Sequence, residues 1–359
     1  MSSNFENRYV SLTPEHTAAG GIPRTYGTAS TTPAAEIFGE VDDESFAHMF
    51  DLLTRSDMSR YGAAKSLNGK EYSEGGVNLV AQPDDFLGMV LFGAYGDNAA
   101  CNSANYVNAL KVHTWNEGSG MILPSFTIKV GREDNEHKYT GMCLSRLSIS
   151  ATVGEYATIS ADFNGKAESG LIALDGGPTF TGAASDGFHF ADGAVNFSLD
   201  GDATNTASAV IKSISFELNT NLNTDDACSI GSNTYSRQPE PQMREITGTV
   251  EFSDASTTSA TDVPGYDMLL TSGGKLYDGD TAEPAIMLSL TNGTQSLALG
   301  IRKVRWEAPT ANISGRDTQT LSLNFVGLVD VTDNIMSETV LTHTAASTGL
   351  ATGVKYSVA

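Results

Sequence analysis

Short stretches in which apolar and polar residues alternate recur along the whole chain. In 126–130 the order is Phe, Thr, Ile, Lys, Val, so every second side chain can point toward a core. The same pattern is found at 147–151, 159–163, 214–218, 297–301 and 321–325. Such alternation, with Ser and Thr on the solvent side, is typical of half-buried antiparallel strands. The sequence therefore predicts a mainly β protein.

One stretch, 83–91, carries a helical signal instead. Pro83 stands near a first turn, Asp84 and Asp85 can complement the helix dipole, and an apolar run follows to Leu91. We expect a helix that starts near Pro83.

The chain also contains a repeat of low identity. Residues 70–79 lead into the predicted helix, and 244–252 lead in the same way to a second helix candidate at 264–270. Each half closes on a matching strand, with Phe163 in the first strand corresponding to Phe325 in the second. We therefore expect two tandem β-sandwich or barrel units, each with one flanking helix.

The Gly-rich stretch around Gly176 and Gly177 separates the two halves of the repeat and predicts a linker. The predicted organisation is an N-terminal arm (1–33), a first unit (34–168), the Gly-rich linker (169–185), a second unit (186–333) and a C-terminal tail (334–359).

The charge balance excludes several partners. The chain has 43 acidic and 21 basic residues, a formal net charge of −22. An open nucleic-acid-binding face needs clustered Lys and Arg, and an anionic membrane surface attracts the same residues, so both are disfavoured. The acidic composition also suits high salt, where repulsion between carboxylates is screened, and it is compatible with a halophilic host.

Sequence patterns of catalysis and of cofactor binding are missing. There is no HExxH, Gly-x-Ser-x-Gly, Walker A or GxGxxG pattern, and the three cysteines have no CxxC spacing. The acidic turns 200–202 and 278–280 lack the full spacing of a calcium loop and suit hairpin turns better. We expect no catalytic residues, no cofactor and no metal, which favours a structural protein.

A family resemblance rests on the order of several segments. They are 76–79 before the helix at Pro83, then 113–114, 124–132, 139–144, 147–150 and 161–166. In this order the chain resembles the tail tube (major tail) proteins of long-tailed bacteriophages and related archaeal tailed viruses, over about residues 25–333. The two units are then of the tail-tube type.

This resemblance implies a structural virion protein that polymerises as stacked rings into a hollow tail tube through which viral DNA is delivered. It also implies assembly in the host cytoplasm, a place in the virion tail, and contacts with other tail proteins such as the tape measure and the tail terminator. DNA would pass without specific binding, and no membrane would be involved.

The resemblance also points to two sets of residues. A long loop in each unit, 52–65 and 220–243, would reach the neighbouring ring, with Leu52, Arg55, Arg60, Asp225, Asp226 and Arg237 as candidates. The polar side of the strands would supply the lumen, with Ser148, Ser150, Ser160, Asp162, Ser322 and Asn324 as candidates. Which strand face lines the lumen stays open at this point.

Ring size follows from the unit count. Single-unit tube proteins of the family form six-membered rings. Two units per chain would then give a trimeric ring with pseudo-six-fold symmetry.

Two alternatives remain open from the sequence. One is another virion structural part, such as a baseplate hub or a capsid decoration protein. The other is a polysaccharide-binding β-protein, which would need an aromatic-lined groove or a carboxylate pair. Aromatic residues make up 8 % of the chain, and Trp115 and Trp306 are isolated in the sequence, so this alternative has less support.

Overall fold

Strands dominate the computed structural model, which describes residues 8–15, 26–28, 36–56, 58–59, 61–62, 65–96, 106–107, 110–116, 123–174, 178, 180, 186–198, 206–208, 211–252, 285–307, 321–331 and 335–344. Within these ranges there are twenty-two strands and one α-helix, α1, Asp85–Tyr95. The strands are β1 (Tyr9–Pro14), β2 (Ile37–Gly39), β3 (Asp43–Glu44), β4 (Ala47–Arg55), β5 (Lys65–Val80), β6 (Tyr106–Val107), β7 (Leu110–Asn116), β8 (Phe126–Arg132), β9 (Asn135–Thr152), β10 (Thr158–Gly165), β11 (Ala167–Ile172), β12 (Gly193–Ser198), β13 (Thr206–Ser208), β14 (Ile211–Asn219), β15 (Leu222–Asn223), β16 (Glu240–Pro241), β17 (Glu245–Phe252), β18 (Ala285–Asn292), β19 (Gln295–Ile301), β20 (Lys303–Trp306), β21 (Leu321–Leu328) and β22 (Ser337–Thr344).

Eight strands form one continuous antiparallel sheet, called the principal sheet below. Its order is β4-β5-β10-β9-β14-β17-β21-β20. The first four strands, from 47–165, are the first half of this sheet, and the last four, from 211–328, are the second half. The halves meet where β9 pairs with β14, with Ile149 opposite Phe216.

The two halves of the principal sheet repeat one strand order. The sequence β4, β5, β10, β9 in the first half has the counterpart β14, β17, β21, β20 in the second. The registers also agree, because Phe163 lies opposite Gly75 and Phe325 lies opposite Gly248. A Cβ on Gly248 would lie 2.2 Å from the Phe325 ring, so only glycine fits under that phenylalanine.

Two further sets of strands pack over the buried face of the principal sheet. Beside the first half, β1 pairs with β2 and β8, and the start of β9 pairs with β8 and β11. Beside the second half the order is β13-β12-β18-β19-β22-β7-β6. Side chains of all three sheets meet in one hydrophobic core, which includes Leu12, Ile128, Leu147, Leu299 and Leu341. The result is a double-layered β-sandwich.

The segment 96–123 links the two halves of the chain. Its strand β7 pairs with β22, with Thr114 opposite Val340, and the Trp115 side chain is fully buried. A segment that follows the first-half helix therefore completes the outer sheet of the second half.

The helix α1 begins where the sequence predicts it. Asp84 is its N-cap, and its Oδ1 accepts a hydrogen bond of 2.8 Å from the Leu87 N–H. All eleven residues of α1 are buried, and the helix contacts β2, β7 and β9. Burial raises the pKa of Asp84 to about 7, although the Leu87 N–H opposes this shift.

The mainly β prediction is confirmed, and the six alternating stretches lie in β8, β9, β10, β14, β19 and β21. The second helix candidate, 264–270, lies outside the described residues. The predicted N-terminal arm contains β1, whose six residues are all buried. The predicted C-terminal tail contains β22, and β11 extends into the start of the predicted linker. In the part of the chain that the structure describes, no helix is long and apolar enough to span a membrane.

Candidate assembly surfaces

One face of the principal sheet is polar. Ser148 lies opposite Ser160 on β10 and opposite Glu217 on β14, and each of these residues alternates with a buried apolar one. All six lumen candidates share this face, because their neighbours in register point the same way: Ser148, Ser150, Ser160, Asp162, Ser322 and Asn324. The strands thus gather side chains from both halves of the chain on one solvent-facing surface, called the polar face below.

Acidic side chains outnumber basic ones on the polar face. Among the described strand residues and the adjoining Glu307, the acidic residues on this face are Glu74, Asp162, Glu217, Glu245, Glu251 and Glu307, and the basic ones are Lys70, Arg146, Lys303 and Arg305. Arg146 is held between two of these carboxylates, with its Nε 2.8 Å from Asp162 and its Nη1 3.6 Å from Glu217. The field of this surface therefore repels anions.

Both ends of the principal sheet are edges. Within the described ranges, β4 pairs only with β5, and β20 pairs only with β21. A strand edge leaves backbone N–H and C=O groups that can pair with another chain. The sheet is therefore open to extension at β4 and at β20.

The predicted loop at 52–65 is largely a β-hairpin. Leu52 pairs with Asn68, and Arg55 pairs with Lys65. We call the hairpin over 49–69 the arm. A bulge between Phe50 and Leu52 interrupts its register, which bends the hairpin and redirects its end. Arg60 lies outside the described residues.

The arm exposes apolar side chains. Phe50, Leu52, Leu53 and Leu67 are 52 %, 60 %, 59 % and 73 % exposed. Leu53 and Leu67 lie opposite each other in the hairpin, and exposed apolar side chains that are gathered in this way mark an interaction site. Leu52 and Arg55, which the sequence singles out, thus lie on a protruding surface.

The second predicted loop, 220–243, folds back on its own chain and is called the folded loop below. It leaves β14, and Thr220 donates its N–H to the Ser145 carbonyl on β9. At its far end the Asn233 carbonyl accepts a hydrogen bond of 2.7 Å from the Glu71 N–H of β5. The folded loop therefore crosses from the second half of the sheet to the rim of the first half.

Aromatic packing fixes this crossing. The Tyr235 ring is 2 % exposed and stacks on Tyr72 with 6.3 Å between ring centroids. The Lys70 ammonium lies 5.4 Å from the Tyr235 ring centroid and 3.4 Å from Asp225. Burial raises the pKa of Tyr235 to about 12. Sequence patterns did not single out either tyrosine, since they are 163 residues apart and belong to no motif.

The remaining loop candidates stabilise the folded loop itself. The Arg237 Nε donates to the Asp226 carbonyl at 2.8 Å, and Asp226 accepts a hydrogen bond of 2.6 Å from Asn223. Of the three candidates in this loop, Asp225 alone reaches the first half of the sheet through a described contact.

A buried carboxylate fastens the segment before β2. Glu15 accepts hydrogen bonds from the Gly141 N–H at 2.7 Å, the Ser125 hydroxyl at 2.8 Å and the Gly27 N–H at 3.0 Å. Burial raises its pKa against these donors. Sequence analysis missed Glu15, because its partners are up to 126 residues away.

Among the described residues, no group of three or more His, Cys, Asp or Glu side chains is placed to hold a metal ion. The surfaces that stand out are the polar face, the sheet edges and the arm.

Comparison with known proteins identifies the family of the chain. A search of curated proteins found no match. The model of a family described as phage tail tube protein matches residues 19–327, which include the helix and all of the principal sheet except Leu328. Since this match covers most of the 359 residues, the chain belongs to the phage tail tube protein family and is a structural protein of the virion tail.

Proposed function

We propose that three copies of this chain form a ring with pseudo-six-fold symmetry, and that the rings stack into a hollow tube through which viral DNA passes. The observation that carries the proposal is the repeat of strand order and register in the two halves of the principal sheet. The role is structural, and we propose no catalytic step.

The joint between β9 and β14 is a template for the joint between chains. It connects the last strand of the first half to the first strand of the second. Its counterpart would connect β20, the last strand of the second half, to β4 of the next chain. Three chains of eight strands would then close one barrel of twenty-four strands and remove both free edges.

The polar face suits the inside of this barrel. The apolar side chains of the principal sheet lie on the opposite face, under the outer sheets, so the polar face is the one left for the lumen. Its carboxylates repel DNA phosphates, and Arg146 is neutralised by Asp162 and Glu217. DNA would slide through such a lumen without specific binding.

We also propose assembly in the host cytoplasm, with the tape measure inside the tube and a tail terminator at its end. Membership of the phage tail tube protein family supports contacts with other proteins of the tail.

The test is the mass of the ring by native mass spectrometry, together with averaged electron micrographs. We expect three chain masses and six similar features around the ring. A ring of six full chains would overturn the stoichiometry and would place one half of each chain outside the barrel. Purified protein that forms neither rings nor tubes would favour a baseplate hub or a capsid decoration protein.

A further inference from the structure

The rim of the first half of the principal sheet is covered by a neighbour. The rim is the end of the sheet where β5 extends beyond β10, next to Gly165. The folded loop lies there, with the backbone of Thr234 beside Glu71 and with Tyr235 on Tyr72. This loop comes from β14, three strands away across β9 and β10.

The corresponding rim of the second half is exposed. Alignment of the Phe163–Gly75 pair with the Phe325–Gly248 pair equates Tyr72 with Glu245 and Gly165 with Gly327. Next to this rim lie three exposed apolar residues, Met243, Val329 and Val331, which are 85 %, 41 % and 86 % exposed, together with the charged Arg244, Glu245 and Asp330. We call the three apolar residues the bare rim.

The arm is the counterpart of the folded loop. It connects β4 to β5, as the folded loop connects β14 to β17. The neighbour that the arm would cover is missing from a single chain, since β4 is an edge. In a single chain the surface that the arm would contact is missing. The side chains of Phe50, Leu52, Leu53 and Leu67 are therefore exposed to solvent.

The length and the charge of the arm are compatible with contact between the arm of one chain and the bare rim of another. Crossing three strands takes about 14 Å, whereas the arm residues 49–58 span up to about 30 Å in extended form. The bulge at Phe50 can turn the arm across the rim. Arg55 and Lys65 lie opposite each other on the arm, and Glu245 is exposed beside the bare rim of a chain with net charge −22.

We propose that the arm of each chain docks on the bare rim of the next chain in the same ring, as the folded loop docks on the first-half rim of its own chain. The partner is a second copy of this chain, and the proposal rests on the ring described above. It assigns the arm to contacts within a ring, in contrast to the contact with the neighbouring ring that the family resemblance implies.

Cross-linking of assembled tubes tests the proposal. In a chain whose natural cysteines are replaced by alanine, Leu53→Cys is combined with Val331→Cys and treated with a short bis-maleimide. We expect covalent products up to the mass of one ring and none larger. Leu53→Cys combined with Val153→Cys is the matched control, because Val153 is 56 % exposed at the opposite end of the sheet, and we expect it to give monomers.

Three outcomes overturn the proposal. A ladder that continues beyond the ring mass would mean that the arm joins successive rings. Intact rings without cross-links would mean that the arm does not reach the rim. The ring mass is measured separately, so an unexpected number of chains contradicts the stoichiometry while a limit at that ring mass still supports docking within the ring. Failure to form rings contradicts both.

A second pair of variants tests the apolar contact. Leu53→Ser with Leu67→Ser should reduce the assembled fraction at least tenfold at fixed concentration, whereas Val153→Ser should leave it unchanged. Circular dichroism of the unassembled protein should be the same for both, because all three side chains are exposed. Unchanged assembly of the double variant would contradict the proposal.

Discussion

The arm and the folded loop occupy the same place in the two halves of one sheet, yet one is exposed and the other is packed. The folded loop has its neighbour within the chain, and it buries Tyr235 against Tyr72. Among the described residues the arm has no such neighbour, and it leaves seven large apolar side chains exposed: Met49, Phe50, Leu52, Leu53, Met58, Tyr61 and Leu67. The difference teaches that exposed apolar surface here indicates a partner that a single chain does not supply. The following predictions use this contrast.

The largest effect on folding is expected in the folded loop, which is the packed one of the two loops compared above. Tyr235→Ala removes a buried ring from the crossing, so we expect the free energy of unfolding to fall by about 3 kcal/mol. Leu53→Ala on the exposed arm is the matched control and should change it by less than about 0.5 kcal/mol in the unassembled protein. Urea unfolding measures both. Equal losses would mean that the arm already packs within one chain.

A change of pH can destabilise the fold without altering the arm or the folded loop. Asp84 has a pKa raised to about 7 by burial, so the folded state retains its proton better than the unfolded state. The resulting stability is fully present below the ordinary Asp pKa and is lost as pH rises through about 7. Asp84→Asn keeps an N-cap that does not ionise.

We therefore expect the stability of the natural protein relative to Asp84→Asn to decrease between pH 4 and pH 8. Thermal unfolding at several pH values measures this difference. A constant difference would show that Asp84 does not retain its proton. Cross-linking of the arm to the rim should be the same in both proteins at each pH, since α1 lies in the core.

The strands, the helix cap and the long-range contacts differ in how far they could be predicted from the sequence. Alternation identified β8 and the other regular strands, because a half-buried strand shows its two faces directly. The cap at Asp84 is equally local. By contrast, the alternation in β1 covers only Val10, Ser11, Leu12 and Thr13 and lies before the repeat, so this strand fell within the predicted N-terminal arm, 1–33, although all six of its residues are buried.

Contacts between distant segments account for what sequence patterns missed. Nothing local indicates that β7 pairs with β22, or that Tyr235 packs on Tyr72. In the two halves of the principal sheet the registers equate Ser45 with Ser215, whereas a match of Ser45 to Ser213 would fit the alternation equally well. A shift of two residues keeps every side chain on the same face, so a pattern of period two cannot distinguish these alignments.

Salt should affect the contacts between chains more than the packing of the folded loop within one chain. Chains of net charge −22 repel one another when they assemble, and this repulsion is weakly screened below about 0.1 M salt, where the Debye length exceeds about 10 Å. We expect tubes to loosen in that range, while the folded loop stays packed because it is part of the same chain. Sedimentation measures assembly, and urea unfolding of the unassembled natural protein and of Tyr235→Ala at each salt concentration measures whether the folded loop stays packed. Tubes that are equally stable in millimolar and molar salt would argue against a halophilic host.

The smallest effect is expected at the ion pairs that cross from β9 to β14. Arg146 contacts Asp162 and Glu217, but these side chains are 39–46 % exposed, and exposed ion pairs contribute little to stability. We expect Arg146→Gln to lower the free energy of unfolding by about 0.5 kcal/mol, and Arg8→Gln, at an exposed arginine near Glu133, to have no measurable effect. A loss above about 2 kcal/mol would mean that these charges, more than the folded loop, hold the two halves together.

The joint that we propose between chains differs from the joint between β9 and β14 in one charge. The register places Ala47 of β4 where β14 has Glu217, so the proposed joint lacks this carboxylate. A small effect of Arg146→Gln would mean that ion pairs contribute little where the two halves meet. Apolar packing of the kind that Tyr235 makes would then have to stabilise the proposed joint between chains, and the arm carries apolar side chains that can provide it.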